Sequence, residues 1–239
     1  MEKFRNKVSI YHLIVGARHA AGLSVIIDVF RAFSLECYLF DYGVTAIRPV
    51  GSVEEAFRLH EQYPGSVLIG ERGGEKCEGF DFGNSPSSMT ATDVGGRLAI
   101  HTTSAGTQGV VNAVFADEII GGSLVNAKAI AAYIMEKQPR SVSLVCMGLG
   151  GERLAEEDEL CAEYIKSILD AEPMEDIEAR VAALRYHGGE KFFDPARNHI
   201  FPQADFWLCT KLNAFDFVVR IEKDDIGFIS RKYPVTVGE

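Results

Sequence analysis

Short apolar segments rich in β-branched residues alternate with amphipathic, helix-like segments through most of this 239-residue chain. Helical crossovers connect the buried strands of parallel sheets, so this alternation predicts a mostly parallel sheet with helices on both faces, a three-layer α/β/α fold. The predicted strands are 23–28, 44–50, 66–70, 97–102, 117–120 and 141–148. The predicted helices are 31–42, 52–63, one beginning near 106, 126–138 and 156–170.

The C-terminal part of the chain follows a different pattern. A helix is predicted at 177–187, a glycine-rich loop at 188–202, a short helix at 203–212 and two strands at 215–223 and 227–232. This pattern predicts a smaller α+β C-terminal portion packed on the main sheet.

The length of the chain fits one large domain or two small lobes that share a core. No repeat, low-complexity segment or flexible linker interrupts the sequence. We therefore expect residues 1–239 to form a single unit, and two lobes at about 1–150 and 151–239 are the alternative. The sequence leaves a homo-oligomer open, because Phe206 and Trp207 fit either a subunit interface or the core.

Charge and cysteine content exclude several classes of protein. With 34 acidic against 24 basic residues, the formal net charge of −10 argues against non-specific nucleic-acid binding, which needs a basic face. No apolar run approaches the roughly 18 residues that span a bilayer, and the N-terminal segment lacks the pattern of a signal peptide. The five cysteines are odd in number and never spaced as Cys-x-x-Cys, which predicts reduced thiols in a cytoplasmic protein.

Candidate site residues lie where predicted strands end, since ligands of parallel α/β sheets bind beyond the carboxyl ends of the strands. Asp28 ends the strand at 23–28, and Arg31 follows at a helix start. A carboxylate can hold a hard cation, and an arginine can bind a phosphate or carboxylate through two hydrogen bonds. The alternative is a helix-capping aspartate with a local ion pair.

A second group of candidates lies in the segment GERGGEKCEGFDFGNSP at 70–86. Glu71 and Arg72 follow a predicted strand directly, and Gly73 and Gly74 allow the backbone to approach a ligand closely. The alternative is a surface Ω-loop, which needs glycine but no Glu-Arg pair at a strand end. Further polar side chains follow in the same segment: Asp81, Asn84 and Ser85.

A third group forms a hydroxyl-rich turn between a predicted strand and helix. Free backbone N–H groups and side-chain hydroxyls make such a turn a candidate anion site, although it lacks the P-loop motif. The alternative is an ordinary serine or threonine helix cap. The candidate residues are Thr102, Thr103, Ser104, Gly106 and Thr107.

A fourth group, Glu156, Glu157 and Asp158, lies at the start of the helix at 156–170. Acidic residues there complement the helix dipole, and the alternative is that Glu157 or Asp158 binds a metal or orients a water. Taken together, the first three groups predict binding of a small phosphorylated molecule with a divalent cation. Mg²⁺ is the expected ion, because it takes few carboxylates and keeps water and phosphate oxygens as its other ligands.

The motifs resemble those of the 2-phosphosulfolactate phosphatase family. The matching residues are Asp28, Arg31 and Ala32; Gly70 to Arg72; Glu78 to Pro86; and Thr102 to Thr107. The resemblance implies a magnesium-dependent phosphohydrolase associated with coenzyme M biosynthesis. One turn departs from the family pattern, because Thr-Thr-Ser-Ala-Gly-Thr stands where Thr-Thr-Asn-Gly-Thr is usual.

The expected function is therefore magnesium-dependent hydrolysis of a phosphate monoester of a small anionic organic acid, 2-phosphosulfolactate or a relative. The alternative is a non-catalytic binding protein for a phosphorylated metabolite. We expect the following roles: catalysis by Asp28, Arg31, Glu71 and Arg72; metal binding by Asp28, Glu71 and Asp158; substrate binding by Asn84, Ser85 and the turn Thr102, Thr103, Ser104, Gly106 and Thr107.

Two mechanisms stay open from the sequence. Asp28 could form a covalent aspartyl-phosphate, or a water held by the metal could attack directly. The second aspartate of haloacid-dehalogenase enzymes does not follow Asp28, which favours water. No Gly-x-Ser-x-Gly motif occurs, so an esterase nucleophile is excluded. Of the six histidines, His101 and His187 are placed where they could reach a site.

Overall fold

A computed structural model of the protein describes residues 3–237 and shows one α/β fold. Within this range the chain forms ten strands: β1 (Lys7–His12), β2 (Ala21–Ile27), β3 (Ala46–Pro49), β4 (Val67–Arg72), β5 (Glu75–Lys76), β6 (Leu98–Thr102), β7 (Phe115–Gly122), β8 (Ser141–Cys146), β9 (Phe217–Lys223) and β10 (Phe228–Pro234). The α-helices of the same residues are α1 (Leu13–Ala17), α2 (Ala32–Asp41), α3 (Val53–Gln62), α4 (Ala91–Val94), α5 (Gly106–Asn112), α6 (Ala127–Lys137), α7 (Glu156–Leu169), α8 (Ile177–Ala183) and α9 (Gln203–Cys209). Short 3₁₀ turns lie at Pro86–Ser88, Leu124–Asn126, Leu184–Tyr186, Glu190–Phe193 and Pro195–Arg197.

The strands lie in the order β1-β8-β2-β7-β9-β10-β3-β6-β4-β5. Two groups, β1-β8-β2-β7 and β3-β6-β4, are parallel within themselves. The antiparallel pair β9-β10 joins them. The predicted α/β class and the predicted main strands and helices are therefore confirmed, and the two C-terminal strands pair inside the sheet. The single-unit prediction, with two lobes as its alternative, stays a prediction.

Helices cover both faces of the sheet, because side chains alternate along each strand. In β2, Val25 and Ile27 face a core that includes residues of α6 and α7, and Ile26 faces a second core that includes α2. A third, smaller core lies under α3. Ser52 caps α3, since its side chain accepts a hydrogen bond from the Glu55 N–H.

The sheet is strongly curled and twisted. β2 and β4 are six positions apart and run in opposite directions, so a flat sheet would put their carboxyl ends about 29 Å apart on opposite edges. Gly106, just beyond β6, nevertheless lies against Asp28 at the end of β2, where a Cβ would be 3.0 Å from Oδ2. A twist of about 20–25° per strand adds to roughly 120–150° over six strands, which turns both ends toward one site.

Helix α2 packs against β7 and β9, and its residues from Ala32 to Phe40 are all buried. Phe206 is also buried, whereas Trp207 is half exposed. Among the helices within residues 3–237, none has the length and apolar composition needed to cross a lipid bilayer. The fold therefore brings the carboxyl ends of distant strands to the rim of one buried helix.

Candidate active site

Four buried carboxylates form the centre of the candidate site. Asp28 follows β2, Glu71 lies near the end of β4, and Glu157 and Asp158 belong to the first turn of α7. Their exposed fractions are 6%, 7%, 4% and 2%, respectively. Buried carboxylates repel one another and lose hydration, so such a cluster needs protons, hydrogen-bond donors or a cation to compensate.

Asp28 lies between the other acidic groups. Its Oδ1 accepts a hydrogen bond at 3.1 Å from the N–H of Ala32, the first residue of α2. Burial raises the pKa of Asp28 to about 6. The hydrogen bond from the Ala32 N–H and the charge of Lys191 oppose this rise, while the charges of Glu71 and Glu157 add to it. No hydrogen bond to Oδ2 is formed by the described residues.

Asp158 connects the ends of two neighbouring strands. Its Oδ1 accepts a hydrogen bond at 2.8 Å from the Val29 N–H, and its Oδ2 accepts one at 2.8 Å from the Gly148 N–H. Burial raises the pKa of Asp158 well above its usual range, and the charges of Asp28 and Glu157 raise it further. The side chain therefore fixes the loop after β2 against the loop after β8.

Glu157 differs from its neighbours because its Oε2 is buried without a hydrogen-bond partner among residues 3–237. Burial raises the pKa of Glu157, while the nearby Lys191 ammonium opposes that rise. A Cβ at Gly188 would lie 2.7 Å from the same Oε2, so glycine leaves room for this carboxylate. An unpaired buried oxygen is the type of group that a bound cation satisfies.

Glu71 is positioned by a tight hairpin, which replaces the open Ω-loop alternative. Glu71 and Arg72 pair with Lys76 and Glu75, so Gly73 and Gly74 form a two-residue turn. Their φ angles of 62° and 93° are those of the turn that joins twisted strands with least strain. A Cβ at Gly74 would also lie 2.5 Å from the Phe201 ring, which requires glycine there.

The Glu71 carboxylate binds the backbone of both flanking turns. Its Oε1 accepts a hydrogen bond at 2.7 Å from the Ser104 N–H, and its Oε2 accepts one at 2.6 Å from the Gly74 N–H. The Ser104 hydroxyl adds a bond to Oε2 at 3.2 Å and accepts one from the Gly73 N–H. The serine in the altered turn thus ties that turn directly to the carboxylate cluster.

The rest of the hydroxyl-rich turn is organised by its own side chains. Thr103 Oγ1 accepts a hydrogen bond from the Thr107 N–H at 3.0 Å, and Thr107 Oγ1 accepts one from the Thr103 N–H at 2.9 Å. These two threonines are buried and support the start of α5. Gly106 packs so tightly that a Cβ would lie 2.5 Å from the Ala32 Cβ.

Arg72 lies at the exposed rim of the site. Its guanidinium donates to the Glu71 carbonyl at 2.6 Å and to Thr102 Oγ1 at 2.9 Å. These bonds hold the side chain above the strand ends while leaving other N–H donors open to solvent.

Arg31 is buried, and protein groups hold its guanidinium. It donates to Asp205 Oδ2 at 2.7 Å, to the Ile200 carbonyl at 2.9 Å and to the Gly74 carbonyl at 3.4 Å. The Phe201 ring centroid lies 4.9 Å from its Cζ. This arginine therefore joins α2, the Gly73-Gly74 hairpin and the C-terminal portion.

Asn84 and Ser85 belong to two further buried networks. Asn84 Oδ1 lies 3.1 Å from His101 Nε2, and His101 Nδ1 lies 3.0 Å from Glu36 Oε1. Ser85 donates to Asp205 Oδ1 at 2.9 Å, which links it to the partner of Arg31. His101 is thus a buried structural residue.

A cleft of about 480 Å³ lies beside these networks. Arg31, Asn84, Ser85 and Gly74 contribute to its wall. His187, the other histidine noted in the sequence, is exposed and lies 3.7 Å from Glu156 rather than among the buried carboxylates.

Lys191 is the functional candidate that the sequence analysis missed. Its Nζ lies 5.5 Å from the ring centroids of Phe30, Phe192 and Phe201. It opposes the raised pKa values of Asp28 and Glu157, yet it forms no hydrogen bond or ion pair with any residue in the described range 3–237. No motif marks this position, and a lysine within the aromatic run EKFF is its only sequence signal.

The predicted residues thus divide into four groups by position. The carboxylate centre, its closest turn and its rim comprise Asp28, Glu71, Asp158, Ser104, Gly106, Arg72 and Thr102. Arg31 and Ser85 meet at Asp205, and Asn84 pairs with His101. Thr103 and Thr107 support the turn from within.

The chain is similar over most of its length to known proteins. A family model described as 2-phosphosulpholactate phosphatase matches residues 9–224. A probable 2-phosphosulfolactate phosphatase of Bacillus subtilis (strain 168) is 33% identical over 209 residues, 85% of this chain and 89% of that protein. A protein of the same name from Clostridium perfringens (strain 13 / Type A) is 29% identical over 229 residues, 90% of this chain and 92% of the relative.

A third relative, the probable 2-phosphosulfolactate phosphatase of Thermotoga maritima, is 33% identical over 175 residues, which is 73% of this chain and 71% of that protein. The chain therefore belongs to the 2-phosphosulpholactate phosphatase family. The resemblance inferred from the motifs is confirmed, and with it the assignment to phosphoric monoester hydrolases.

Proposed function

We propose that this family member is a Mg²⁺-dependent phosphatase that hydrolyses a phosphate monoester of a small anionic organic acid, 2-phosphosulfolactate or a relative. The observation that carries the proposal is the cluster of four buried carboxylates in which Glu157 Oε2 has no partner within the described residues. A cation at this position would satisfy the free oxygen and offset the mutual repulsion of the cluster.

The donor set fits Mg²⁺. Every candidate ligand atom is a carboxylate oxygen, which a hard cation prefers to nitrogen or sulfur. Asp28 Oδ2 and Glu157 Oε2 are free of hydrogen bonds from described residues, so they are the first ligands to consider. Glu71 and Asp158 keep further lone pairs beside their backbone bonds. Among the described residues, no three of these four carboxylates bring ligand oxygens within 4.8 Å of one another, so the ion would bind one or two of them directly and reach the others through water. When bound, the ion would neutralise phosphate charge as a Lewis acid.

The cationic side chains complement this role. Lys191 is half-buried, lies beside Asp28 and Glu157, and has no anionic partner among residues 3–237. The three aromatic rings around it exclude water, which strengthens its attraction for a substrate anion. We assign Lys191 and the exposed Arg72 to binding of the phosphate or of the second anionic group of the substrate.

Backbone bonds hold the reacting groups in place. Asp158 and Glu71 each accept two backbone N–H bonds, so their positions do not depend on a ligand. Such preorganisation lowers the cost of reorganising charge during phosphoryl transfer. The cytoplasmic location, the link with coenzyme M biosynthesis and a homo-oligomeric state stay predictions.

The test is phosphate release from a panel of phosphorylated organic acids, 2-phosphosulfolactate included, with Mg²⁺ and with a chelator. We expect release from at least one compound that the chelator abolishes. Asp28→Asn and Glu157→Gln should lose activity while the protein stays folded. Glu156→Gln is the matched control, because Glu156 neighbours Glu157 in the sequence but is 67% exposed.

Two results would contradict the proposal. Release that persists in the chelator would remove the metal, and full activity in both variants would remove the carboxylate cluster. Absence of release, together with Mg²⁺-dependent thermal stabilisation by the same compounds, would instead favour the alternative of a non-catalytic binding protein.

A further inference from the structure

A second cluster of ligand-type side chains lies outside the carboxylate site. His12 ends β1 and Cys146 ends β8, and the parallel register places the two residues side by side. Glu159, in the first turn of α7, completes the group. The ligand atoms of these three residues all lie within 4.8 Å of one another.

Two of the three side chains already contact each other, and the third is hydrogen-bonded to the neighbouring backbone. His12 Nδ1 lies 2.9 Å from Glu159 Oε1. The Cys146 thiol donates to the Asp158 carbonyl at 3.4 Å.

We propose that His12, Cys146 and Glu159 bind a zinc-type transition-metal ion at a site separate from the Mg²⁺ centre. Imidazole, thiolate and carboxylate together are a ligand set that Zn²⁺ takes and Mg²⁺ does not. This inference does not depend on the phosphatase activity.

The spacing fits such an ion. Bonds of about 2.0 Å to nitrogen and oxygen and about 2.3 Å to sulfur place neighbouring ligands of a tetrahedral ion about 3.3–3.6 Å apart, so side-chain shifts of roughly 1 Å suffice. The observed separations, from 2.9 Å to at most 4.8 Å, bracket that range. A water or another ligand would take the fourth position.

Access and charge also fit. The side chains of His12 and Glu159 are 44% and 30% exposed, so an ion reaches the site from solvent, while Cys146 forms its buried base. On binding, the S–H bond breaks, the metal–sulfur bond forms, and the proton leaves to solvent. The thiolate and the Glu159 carboxylate together then match the charge of a divalent ion.

The test is a Co²⁺ titration of the full chain in excess Mg²⁺. Co²⁺ substitutes for Zn²⁺, and a thiolate ligand gives a near-ultraviolet charge-transfer band that an all-oxygen site cannot give. We expect one equivalent to produce the band and Zn²⁺ to remove it. Because Co²⁺ at the carboxylate cluster gives no such band, failure here is distinguishable from failure of the proposed phosphatase.

Variants locate the site. Cys146→Ser should abolish the band. Cys161→Ser is the matched control and should keep the band, because Cys161 is equally buried in the same core but is not one of the three proposed ligands. His12→Gln should weaken Co²⁺ binding by at least about tenfold. Changing a residue that only hydrogen-bonds to a metal ligand already weakens metal binding by about 10- to 100-fold, so loss of a ligand should cost no less. His12 is partly exposed, so this variant carries the test if Cys146→Ser fails to fold.

Absence of the band would overturn the inference. So would a band that survives Cys146→Ser or an unchanged Co²⁺ affinity in His12→Gln. Any of these three results would mean that the side chains are neighbours without a metal-binding role.

Discussion

Replacing Arg31 by methionine should destabilise the fold strongly. Arg31 and Asp205 form an ion pair at 2.7 Å with side chains 3% and 0% exposed. Methionine keeps much of the volume of the arginine and its contact with Phe201, but it leaves the Asp205 carboxylate buried without its cation. Asp205 retains only its bonds from Ser85 Oγ and the Ser87 N–H.

The magnitude follows from the burial of the pair. Removing one partner of a fully buried ion pair costs about 3–5 kcal/mol, because the remaining charge is uncompensated. For a protein of this size, each kcal/mol lowers Tm by about 2–4 °C, so the expected decrease is roughly 6–20 °C. Urea unfolding followed by circular dichroism and a thermal scan of the same samples measure both quantities.

Two variants control this experiment. Arg72→Met removes an arginine from the exposed rim and should cost about 1 kcal/mol or less, the value of an ordinary hydrogen bond. Combining Arg31→Met with Asp205→Asn also removes the uncompensated carboxylate charge, so the double variant should recover part of the lost free energy of unfolding. If the free energy of unfolding of Arg31→Met lies within about 1 kcal/mol of the wild-type value, Arg31 does not hold these segments together. Its predicted catalytic role would then explain the residue better.

Three further outcomes are expected. Glu157→Gln should raise the Tm of the metal-free protein, because it removes one of four mutually repelling buried carboxylates. A lower Tm would show that groups of the protein already balance the charge of Glu157. Gly106→Ala should cost about 1–3 kcal/mol by overpacking, since its Cβ would lie 2.5 Å from that of Ala32, and denaturant unfolding measures the loss. Lys191→Met should raise KM for the phosphorylated substrate with little change in Tm. If Lys191→Arg restores the wild-type KM, the effect is due to charge rather than packing. An unchanged KM in Lys191→Met would exclude substrate binding by Lys191.

The periodic elements were predictable because their burial is regular. β2, for example, is buried at five successive positions, and α3 has both its cap and its amphipathic pattern. β1 was missed because it is an edge strand, partly exposed along its length, and its sequence KVSIYH carries no continuous apolar run. The short hairpin strand β5 was missed because two charged residues carry no strand pattern.

The candidate site was predictable where function lies next to a strand end. Asp28, Glu71 and Asp158 were predicted as site residues from their positions. Asp28 and Asp158 meet as assumed, because β2 and β8 are parallel neighbours, whereas Glu71 joins them for a different reason. In a uniformly parallel sheet, the carboxyl ends of all strands would lie on one edge. Here the antiparallel strands β9 and β10 reverse the strand direction between the two parallel groups, and the twist of the sheet turns their carboxyl ends toward one another again. That pairing is a long-range contact, which local patterns do not encode.

Three of the four buried carboxylates accept hydrogen bonds from backbone N–H groups of other residues, and the fourth differs from them. Five backbone N–H groups bind three of them: one binds Asp28, two bind Glu71 and two bind Asp158. These bonds offset part of the cost of burial, and they hold the oxygens in fixed positions. Glu157 accepts no such bond at Oε2, although the burial of that oxygen makes an unmet bond costly. Because the fold supplies backbone donors to three carboxylates and no partner to Oε2 of the fourth, this oxygen is where the proposed cation would bind first.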